Sequence, residues 1–582
     1  KVDRDERPDV DSRYQAAVSA MSGQGGWPLT AFLTPDGKPF YGGTYFPPDD
    51  HYGRPGLKRV LQAIATAYRD QHGEIARSAE QVMSAIAEAE TFRGRRGKFS
   101  PEIVGTIVDS AARLFDVQHG GFGSQPKFPH PAVMDLIIDR YAHTGEDFLR
   151  TIVVTTLERM ARGGVYDQLA GGFHRYSVDE RWIVPHFEKM SYDNAGLLAN
   201  YVHAFQATGN EFFAGVARDI MRWMDEWLSN REHGGFYGSQ DADIDLEDDG
   251  DYFTWTVAEA AACISEEEFK VAAVHYHIGE IGEMHHNHAK NVLYVRAEIE
   301  EISRRLGKST QEVAALLASA KKKMYAARLQ RPTPYIDKTI YVGWNALCIT
   351  GYFCAAQALQ IEDARRFALR SLDRILAQGW SKERGLSHVI AYADSAAANR
   401  PIAGVLEDYA YTATACLDAY QATSDLRYFR FAQEICDAMI VRFYDAEGGG
   451  FFDSEQPPAP LGALAARRKP FQDAPTPAAD PAAAISLLRL HAYTNDASYR
   501  EKALSTLEVF AGMAEQYGMF AGTYGIAAQM FSQPHLQVII LERDLQDALA
   551  EKLYREATAG FALNKTVLRL PVSSAVPQNL PP

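Results

Sequence analysis

The stretch "YDNAGLLANYVHAFQATGNEFFAGVARDIMRWMDEWL", residues 192–228, has the pattern of two amphipathic helices joined by a tight turn. Leu198, Val202 and Phe205 recur at the spacing that places side chains on one side of a helix. The turn "ATGNE" separates this apolar run from a second, more charged run. The pattern therefore predicts a helical hairpin whose first helix is the more deeply buried.

Similar hairpins recur along the chain, with turns that begin at residues 143, 207, 360, 422 and 493. The long interval between the second and third turns has room for a sixth hairpin, which we place between residues 255 and 330. A hairpin with two amphipathic helices must stack on its neighbours to bury both. Six of them predict a mainly α fold, an (α/α)6 six-hairpin barrel with the first helices inside. An open solenoid is the alternative.

Composition excludes several classes of protein. The 582 residues are 46% hydrophobic, and the net charge of −16 argues against a nucleic-acid groove or an anionic membrane surface. No apolar run approaches the ~18 residues of a membrane span. Five cysteines without a Cys-x-x-Cys pair predict reduced thiols rather than a disulfide framework or zinc knuckle. We expect a cytoplasmic protein without nucleic-acid or membrane partners. Because the sequence starts without Met, a targeting segment is not readable, and the oligomeric state stays open.

The two ends of the sequence have α/β patterns. At residues 25–48, "GGWPLTAFLTPDGKPFYGGTYFPP" predicts a β-hairpin with a strand at Leu29–Leu33 and a "TPDG" turn. Residues 57–92 have the pattern of one amphipathic helix. Residues 531–582 read as strand, helix and strand with a loose tail, and we expect this appendage to lie beside the N-terminal piece.

Several motifs resemble one family. "KVDRDERPDVD", "GQGGWPLTAFLTPDGKPFYGGTYFPP" and "GGFHRYSVDERWIVPHFEKMSYDNAGLL" resemble the YyaL-like, spermatogenesis-associated, thioredoxin-domain-containing proteins. The resemblance implies a partial thioredoxin-like domain over residues 1–92, a barrel related to sugar epimerases and glycoside hydrolases over 98–530, and the appendage over 531–582. The family's thioredoxin part has a Cys-His-Trp-Cys helix, whereas no cysteine precedes Cys263 here. We therefore expect no dithiol exchange from the chain as written.

Parallel inner helices would begin at one end of the barrel, and the aligned hairpins place polar residues there. Those residues are His130, Asp193 with Asn194, Trp344 with Asn345, Glu407 with Asp408, and Asp480. Helix capping explains any one of them. As a set they predict a polar, aromatic pocket for a small-molecule, sugar-like ligand.

Sugar chemistry needs groups that move protons and aromatic faces that hold the ring. The candidate catalytic residues are His186, Glu188, Asp241, Asp243, Glu407 and Asp408. The candidate substrate-binding residues are His174, Arg175, Trp182, Lys189, Tyr192, Asp193, Asn194, Trp344, Asn345 and Tyr409.

Three functions are compatible with this set. An epimerase or isomerase would use His186 and His174 on opposite faces of the sugar. A glycoside hydrolase would use two carboxyl groups roughly 5–9.5 Å apart, one of Asp241 and Asp243 with one of Glu407 and Asp408. A non-catalytic scaffold that presents a ligand to a thioredoxin-like redox domain is the alternative.

We predict no cofactor and no metal site. His285, His286 and His288 cluster in "MHHNHAKN", but no acid or cysteine at suitable spacing joins them, so a solvated loop is expected. The acidic loop "DADIDLEDDGD" lacks the glycine and glutamate that an EF-hand loop requires.

Overall fold

The computed structural model describes residues 1–51, 53, 55–90, 96–245, 248–393, 401–457, 459, 461–543 and 547–572, without the side chains of residues 89 and 90. The helices are α1 Pro8–Ser22, α2 Leu57–Asp70, α3 His72–Glu90, α4 Ile103–Leu114, α5 Pro131–Thr144, α6 Asp147–Arg162, α7 Ser191–Thr208, α8 Glu211–Trp227, α9 Val257–Cys263, α10 Glu266–Tyr276, α11 Ile299–Leu306, α12 Thr310–Arg328, α13 Val342–Leu359, α14 Glu362–Gly379, α15 Leu406–Thr423, α16 Leu426–Phe443, α17 Ala479–Thr494, α18 Ala497–Phe510, α19 Ala514–Tyr517, α20 Gly522–Ser532 and α21 Ala548–Ala559.

The strands are short except in the C-terminal unit. They are β1 Thr30–Leu33, β2 Pro39–Gly43, β3 Tyr176–Ser177, β4 Pro185–His186, β5 Lys189–Met190, β6 Ser239–Gln240, β7 Ile336–Asp337, β8 Ile340–Tyr341, β9 Trp380–Ser381, β10 Gly385–Leu386, β11 Val389–Ala391, β12 Leu536–Glu542 and β13 Lys565–Pro571.

Six helices form a closed inner ring. In order around the ring, α5, α7, α13, α15, α17 and α20 each pack on the next, and α20 packs back on α5. The partner helices α6, α8, α14, α16 and α18 lie outside them, with their apolar faces inward. The predicted (α/α)6 barrel is confirmed, and the open solenoid is excluded because the ring closes.

The position predicted for the sixth hairpin is wrong. Helices α9 to α12, between residues 255 and 330, pack mainly on one another and have small apolar cores of their own. The sixth pair instead consists of α20 and α4, which come from opposite ends of the barrel sequence. Val104, Ile107 and Val108 give α4 the buried face that this pairing requires.

The N-terminal piece contains the predicted β-hairpin, in which β1 and β2 are antiparallel. The single helix predicted over residues 57–92 is instead two helices, because the backbone leaves the helical region at Gln71, where φ is −130°. Helix α1 contacts the barrel through the buried Arg13. Its guanidinium donates to the Asp453 carboxylate (2.7 Å) and to the Ala466 carbonyl (2.9 Å).

The C-terminal unit is strand, helix and strand, as predicted, with β12 and β13 parallel. The prediction that it lies beside the N-terminal piece is wrong, since α21 packs on α13 and β13 on α15. The predicted loose tail, residues 573–582, lies outside the described residues.

Two observations concern the whole described chain. Within the described ranges, no helix combines the length and the apolar character needed to cross a membrane. All five cysteines are free thiols.

Candidate functional site

The inner helices begin at the same end of the barrel, which we call the mouth. Two buried carboxylates connect neighbouring helix starts there. Asp408 at the start of α15 accepts the Gly343 N–H of α13 (2.8 Å). Asp473 accepts the N–H groups of Ala478, just before α17 (2.8 Å), and of Thr523 in α20 (2.9 Å). These bonds satisfy N–H groups that a helix start leaves without intrahelical partners.

Several residues of the predicted pocket form hydrogen bonds with the backbone of the Gly-Gly-Phe turns. Asn194 accepts the Phe173 N–H (2.7 Å), and Asn345 accepts the Phe236 N–H (2.6 Å). Each amide also donates back to the carbonyl of the same phenylalanine (2.9 Å). Asp480 accepts the Phe451 N–H in the same way (2.9 Å). The two asparagines are therefore occupied by the backbone rather than directed into the mouth.

Lys189 is also part of a turn. Its ammonium donates to Asp167 (2.7 Å) and to the Gly171 carbonyl (3.0 Å), and its side chain is fully buried. Arg328 donates twice to the same carboxylate, at 2.9 Å each. Although burial opposes it, these two cations hold the pKa of Asp167 well below its usual range. Lys189 thus stabilises the fold below the mouth.

Three further candidates lie away from the mouth. His174 is buried between Phe187 and Phe253, with Nδ1 2.7 Å from the Phe187 carbonyl. Burial, reinforced by Lys189, holds the pKa of this imidazole well below its usual value.

Trp182 is fully buried, and its indole N–H donates to the His119 carbonyl (3.1 Å). The Tyr409 hydroxyl accepts the Leu386 N–H (2.9 Å) inside the wall of the barrel.

A cluster of charged and aromatic side chains occupies the mouth beside α7. Arg175 donates to Glu188 (2.9 Å), and both are close enough to Asp193 to influence its titration. Asp193 Oδ2 and the Tyr192 hydroxyl are buried and have no hydrogen-bond partner in the described chain. Buried polar atoms without a partner are costly, which makes these two candidates for a functional role.

Aromatic rings form the neighbouring part of the mouth. The centroid of the Trp344 ring lies 4.8 Å from that of Tyr192 and 4.4 Å from that of Tyr341. These rings form one apolar cluster with Met190 and Val389. Trp344 and Tyr192 thus have the surroundings expected for an aromatic platform.

Carboxyl groups with raised pKa values surround this cluster. Burial raises the pKa of Asp193 to about 8. Burial, with the Asp408 charge, raises that of Glu407 to about 7. Burial raises the pKa of both Asp5 and Asp241 to about 6, with a nearby Glu188 charge contributing in each case. Such groups can hold or release a proton near neutral pH.

His388 connects the mouth to the N-terminal segment. Its Nδ1 lies 2.8 Å from Asp408, and its Nε2 lies 2.8 Å from the Asp5 carbonyl. Although burial opposes it, the Asp408 carboxylate raises the pKa of His388 to about 9. Asp408 therefore has a positioning role toward His388 and Gly343.

The remaining catalytic candidates lie at the rim of the mouth. The His186 ring stacks on Tyr176, with centroids 5.1 Å apart, and its buried Nδ1 has no partner in the described chain. Asp243 accepts the Gly250 N–H (3.2 Å), and burial raises its pKa. His186 influences the titration of Asp243, so the two side chains are close together.

The described residues contain no group of His, Cys, Asp and Glu side chains arranged to hold a metal ion. His285, His286 and His288 lie on an exposed loop, and the imidazole of His286 lies 3.3 Å from both Asp249 and Asp251. The acidic loop is described except for residues 246 and 247.

Asp5, Tyr341 and His388 also lie at the mouth but were not among the residues predicted from the sequence. His388 follows "RGLS", a turn without the Gly-Gly-Phe pattern, so the hairpin alignment gave it no equivalent. Asp5 lies in "KVDRDER", which is rich in acidic residues but has no feature that associates it with the barrel.

Comparison with known proteins shows the family. Residues 1–87 match the Thioredox_DsbH model, described as a protein of unknown function, DUF255. The chain is 34% identical to spermatogenesis-associated protein 20 of Mus musculus over 548 residues, covering 88% of this chain and 68% of that protein. The chain belongs to the family of spermatogenesis-associated protein 20. An uncharacterised Caenorhabditis elegans protein, B0495.5, is 33% identical over 548 residues, covering 89% of this chain and 73% of its own.

Among solved structures, a GH76 α-mannanase of Bacteroides thetaiotaomicron aligns with 74% of this chain and 98% of its own. Its TM-score is 0.44 and its sequence identity is 11%.

Proposed function

We propose that the mouth binds a sugar-like ligand and transfers protons to it through carboxyl groups, in the manner of a glycoside-cleaving enzyme. The observation that carries this proposal is Asp193. Its carboxyl group is buried, its Oδ2 has no partner in the described chain, and its pKa of about 8 keeps it protonated at neutral pH. A protonated carboxyl group is the acid that protonates the departing oxygen of a glycosidic bond.

The second carboxyl group that such a reaction needs is available in the same cluster. Glu188 accepts a hydrogen bond from Arg175 (2.9 Å) in that cluster. An ionised carboxylate can activate water or stabilise the positive charge that develops on the sugar ring. We therefore assign the acid role to Asp193 and the role of the second carboxyl group to Glu188.

The aromatic rings support a carbohydrate ligand. Sugars present an apolar face of C–H groups, and the Trp344 and Tyr192 rings, 7% and 4% exposed and in T-shaped contact with each other, lie beside the carboxyl cluster. The epimerase alternative is less well supported, because His174 is buried behind Phe187 with its Nδ1 bonded to the backbone. His186 therefore lacks the opposing imidazole that the alternative requires.

One observation favours a non-catalytic binding scaffold as a second candidate. The Asp5 carbonyl accepts from His388, so the segment that precedes α1 lies over part of the mouth. Occupation of the mouth would then be sensed by the thioredoxin-like piece, without turnover.

Hydrolysis of a panel of p-nitrophenyl glycosides and oligosaccharides tests the proposal, with proton NMR in D2O on reducing sugars alongside. We expect cleavage, and we expect Asp193→Asn to reduce it by ~10²–10⁴-fold. Asp363→Asn, an exposed carboxylate on α14, is the matched control and should retain full activity. Activity should fall as pH rises through about 8, when Asp193 loses its proton.

Three outcomes would contradict this function. Deuterium entering C2 of a reducing sugar without cleavage would establish an epimerase instead. Thermal stabilisation by a sugar without any turnover would establish the scaffold. Cleavage that Asp193→Asn leaves intact would place the acid elsewhere.

A further inference from the structure

A second potential site lies at the other end of the barrel. The C-terminal halves of the inner helices and the C-terminal unit enclose a cavity of about 660 Å³. This volume is within the range of small-molecule sites. Apolar side chains such as Phe353, Ile485 and Met530 line it together with polar ones, including His203 and Cys354.

Three side chains in and behind the wall of this cavity form a row. The Cys354 Sγ lies 3.2 Å from His203 Nε2, and His203 Nδ1 lies 2.9 Å from Asp135 Oδ1. The three residues belong to α13, α7 and α5, which are consecutive helices of the inner ring. Thiol, imidazole and carboxylate therefore have the order and the spacing of a nucleophilic triad.

The carboxylate of this row is itself held in place. The Asn200 amide donates to Asp135 Oδ1 (2.6 Å) and to the Pro131 carbonyl (3.0 Å). Because Asp135 accepts at His203 Nδ1, it fixes the tautomer in which Nε2 is free to take the thiol proton. Although burial opposes it, Cys354 and Asp135 raise the pKa of His203 well above its usual value. That direction favours a protonated imidazole within 3.2 Å of the Cys354 Sγ.

The other cysteines provide the contrast. Burial raises the pKa of the thiols of Cys348, Cys416 and Cys436, and none of these has a described contact with an imidazole. Cys263 is partly exposed, but its thiol donates to the Ala260 carbonyl (3.2 Å), and burial raises its pKa as well. Cys354 thus differs from the others in having a base beside it.

The row is accessible from the cavity rather than enclosed in the core. The His203 side chain is 16% exposed, and Cys354 is only partly buried. The Phe561 ring, which follows α21, lies 4.6 Å from the His203 ring and covers it from the side of the C-terminal unit. The charged groups that share the cavity are paired, Asp418 with Arg489 at 2.7 Å and Glu362 with Arg365 at 2.6 Å.

We propose that Cys354, His203 and Asp135 form a nucleophilic site that hydrolyses small acyl esters or thioesters bound in this cavity. The thiol transfers its proton to His203 Nε2, and the thiolate attacks the acyl carbonyl carbon. The tetrahedral intermediate expels the alcohol or thiol, which takes the proton from Nε2, and Cys354 becomes a thioester. Water then attacks this thioester while His203 accepts its proton. Collapse releases the carboxylic acid and restores the Cys354 thiol.

The first test is the site-resolved rate of alkylation by iodoacetamide near about pH 6.5, followed by peptide mass mapping. We expect Cys354 to react at least ~10-fold faster than Cys263 in the same chain, because only Cys354 of the two has an imidazole in contact with its thiol. His203→Asn should remove that advantage, and Cys263→Ser is the matched control that should leave the rate at Cys354 itself unchanged. Equal rates at the two cysteines would refute the activated thiol.

The second test is p-nitrophenyl acetate with the full chain. We expect a burst of one p-nitrophenolate per chain, an acetyl group on Cys354 by mass spectrometry, and slower steady turnover. Cys354→Ser should abolish the burst, whereas Cys263→Ser should leave it intact. Asp135→Asn, a positioning change, should move the pH profile of the burst to higher pH. The other ionisable groups that line the cavity are unchanged by it; they are Glu362, Arg365, Asp418, Arg489, Glu551, Tyr554, Arg555, Lys565 and Arg569. Rapid alkylation without any acetyl-Cys354 would overturn the acyl-transfer assignment.

Discussion

The buried charges around Asp167 give the sharpest test of whether Lys189 belongs to the fold or to the ligand site. Within the described residues, Asp167 is the only acid that pairs with Lys189 and Arg328, whose side chains are 0% and 2% exposed. Asp167→Asn removes the counter-charge from two buried cations at once. Breaking a buried pair from one side costs about 3–5 kcal/mol. We expect Asp167→Asn to lower the free energy of unfolding of the barrel by an amount in that range.

Lys189→Met should cost less. Asp167 then keeps both Arg328 bonds at 2.9 Å, so the losses are the Lys189 bonds to Asp167 and to the Gly171 carbonyl, and the methionine fills the space. The expected loss is about 1–3 kcal/mol. Asp116→Asn is the matched control. Asp116 makes the same contact with the buried Lys127 at 2.8 Å, but it is 19% exposed, and Lys127 also donates to two carbonyls. We expect Asp116→Asn to lower the free energy of unfolding by about 1–2 kcal/mol.

Urea unfolding followed by tryptophan fluorescence measures these differences, because the Lys189 ammonium lies 4.7 Å from the Trp223 ring. The expected order of destabilisation is Asp167→Asn, then Lys189→Met, then Asp116→Asn. A Lys189→Met variant with unchanged stability and abolished ligand binding would refute the structural role. Equal losses for Asp167→Asn and Asp116→Asn would refute the argument from burial.

Three further predictions concern the mouth, a turn and the N-terminal contact. His388 has a folded pKa of about 9, above its unfolded value, so its stabilisation is complete below about pH 6.5 and is lost as pH rises through 9. His388→Gln should therefore lower the free energy of unfolding by about 3 kcal/mol at pH 6 and by much less near pH 10. Denaturation at several pH values across that range measures the difference. Gly172→Ala should destabilise more than Gly209→Ala, since both have positive φ but only Gly172 would place Cβ 2.5 Å from the Trp223 ring. Comparison of melting temperatures tests this, and equal shifts would contradict it. Arg13→Met should accelerate amide hydrogen exchange in α1 without affecting α7, and uniform protection would contradict the inferred contact.

The repeat pattern predicted the inner ring because each hairpin has its own apolar period. It failed at the sixth pair for a physical reason. Helices α4 and α20 are short, and each is half of a unit whose other half is at the far end of the sequence. No local pattern connects two such helices. The helices of the insertion have an amphipathic period as well, but they bury it against one another.

The candidate site was predicted as a region and only partly as individual side chains. The sequence predicted that polar residues lie at the starts of the inner helices, and Asp193, Glu188 and Glu407 do lie at the mouth. The direction of these side chains could not be predicted from the sequence, because a side chain at a helix start can point to a ligand or to a neighbouring backbone group. Asn194 and Asn345 point to phenylalanine N–H groups. His388 depends on a contact with Asp5, 383 residues away, which no periodicity encodes.

The pairing of α4 with α20 has a consequence for synthesis of the chain on the ribosome. The apolar face of α4 emerges early, but the helix that covers it follows about 400 residues later, roughly 20–80 s at ordinary translation rates. During that interval Val104, Ile107 and Val108 have no permanent neighbour and present a binding surface for chaperones. The barrel can therefore close only after α20, which pairs with α4, has been synthesised.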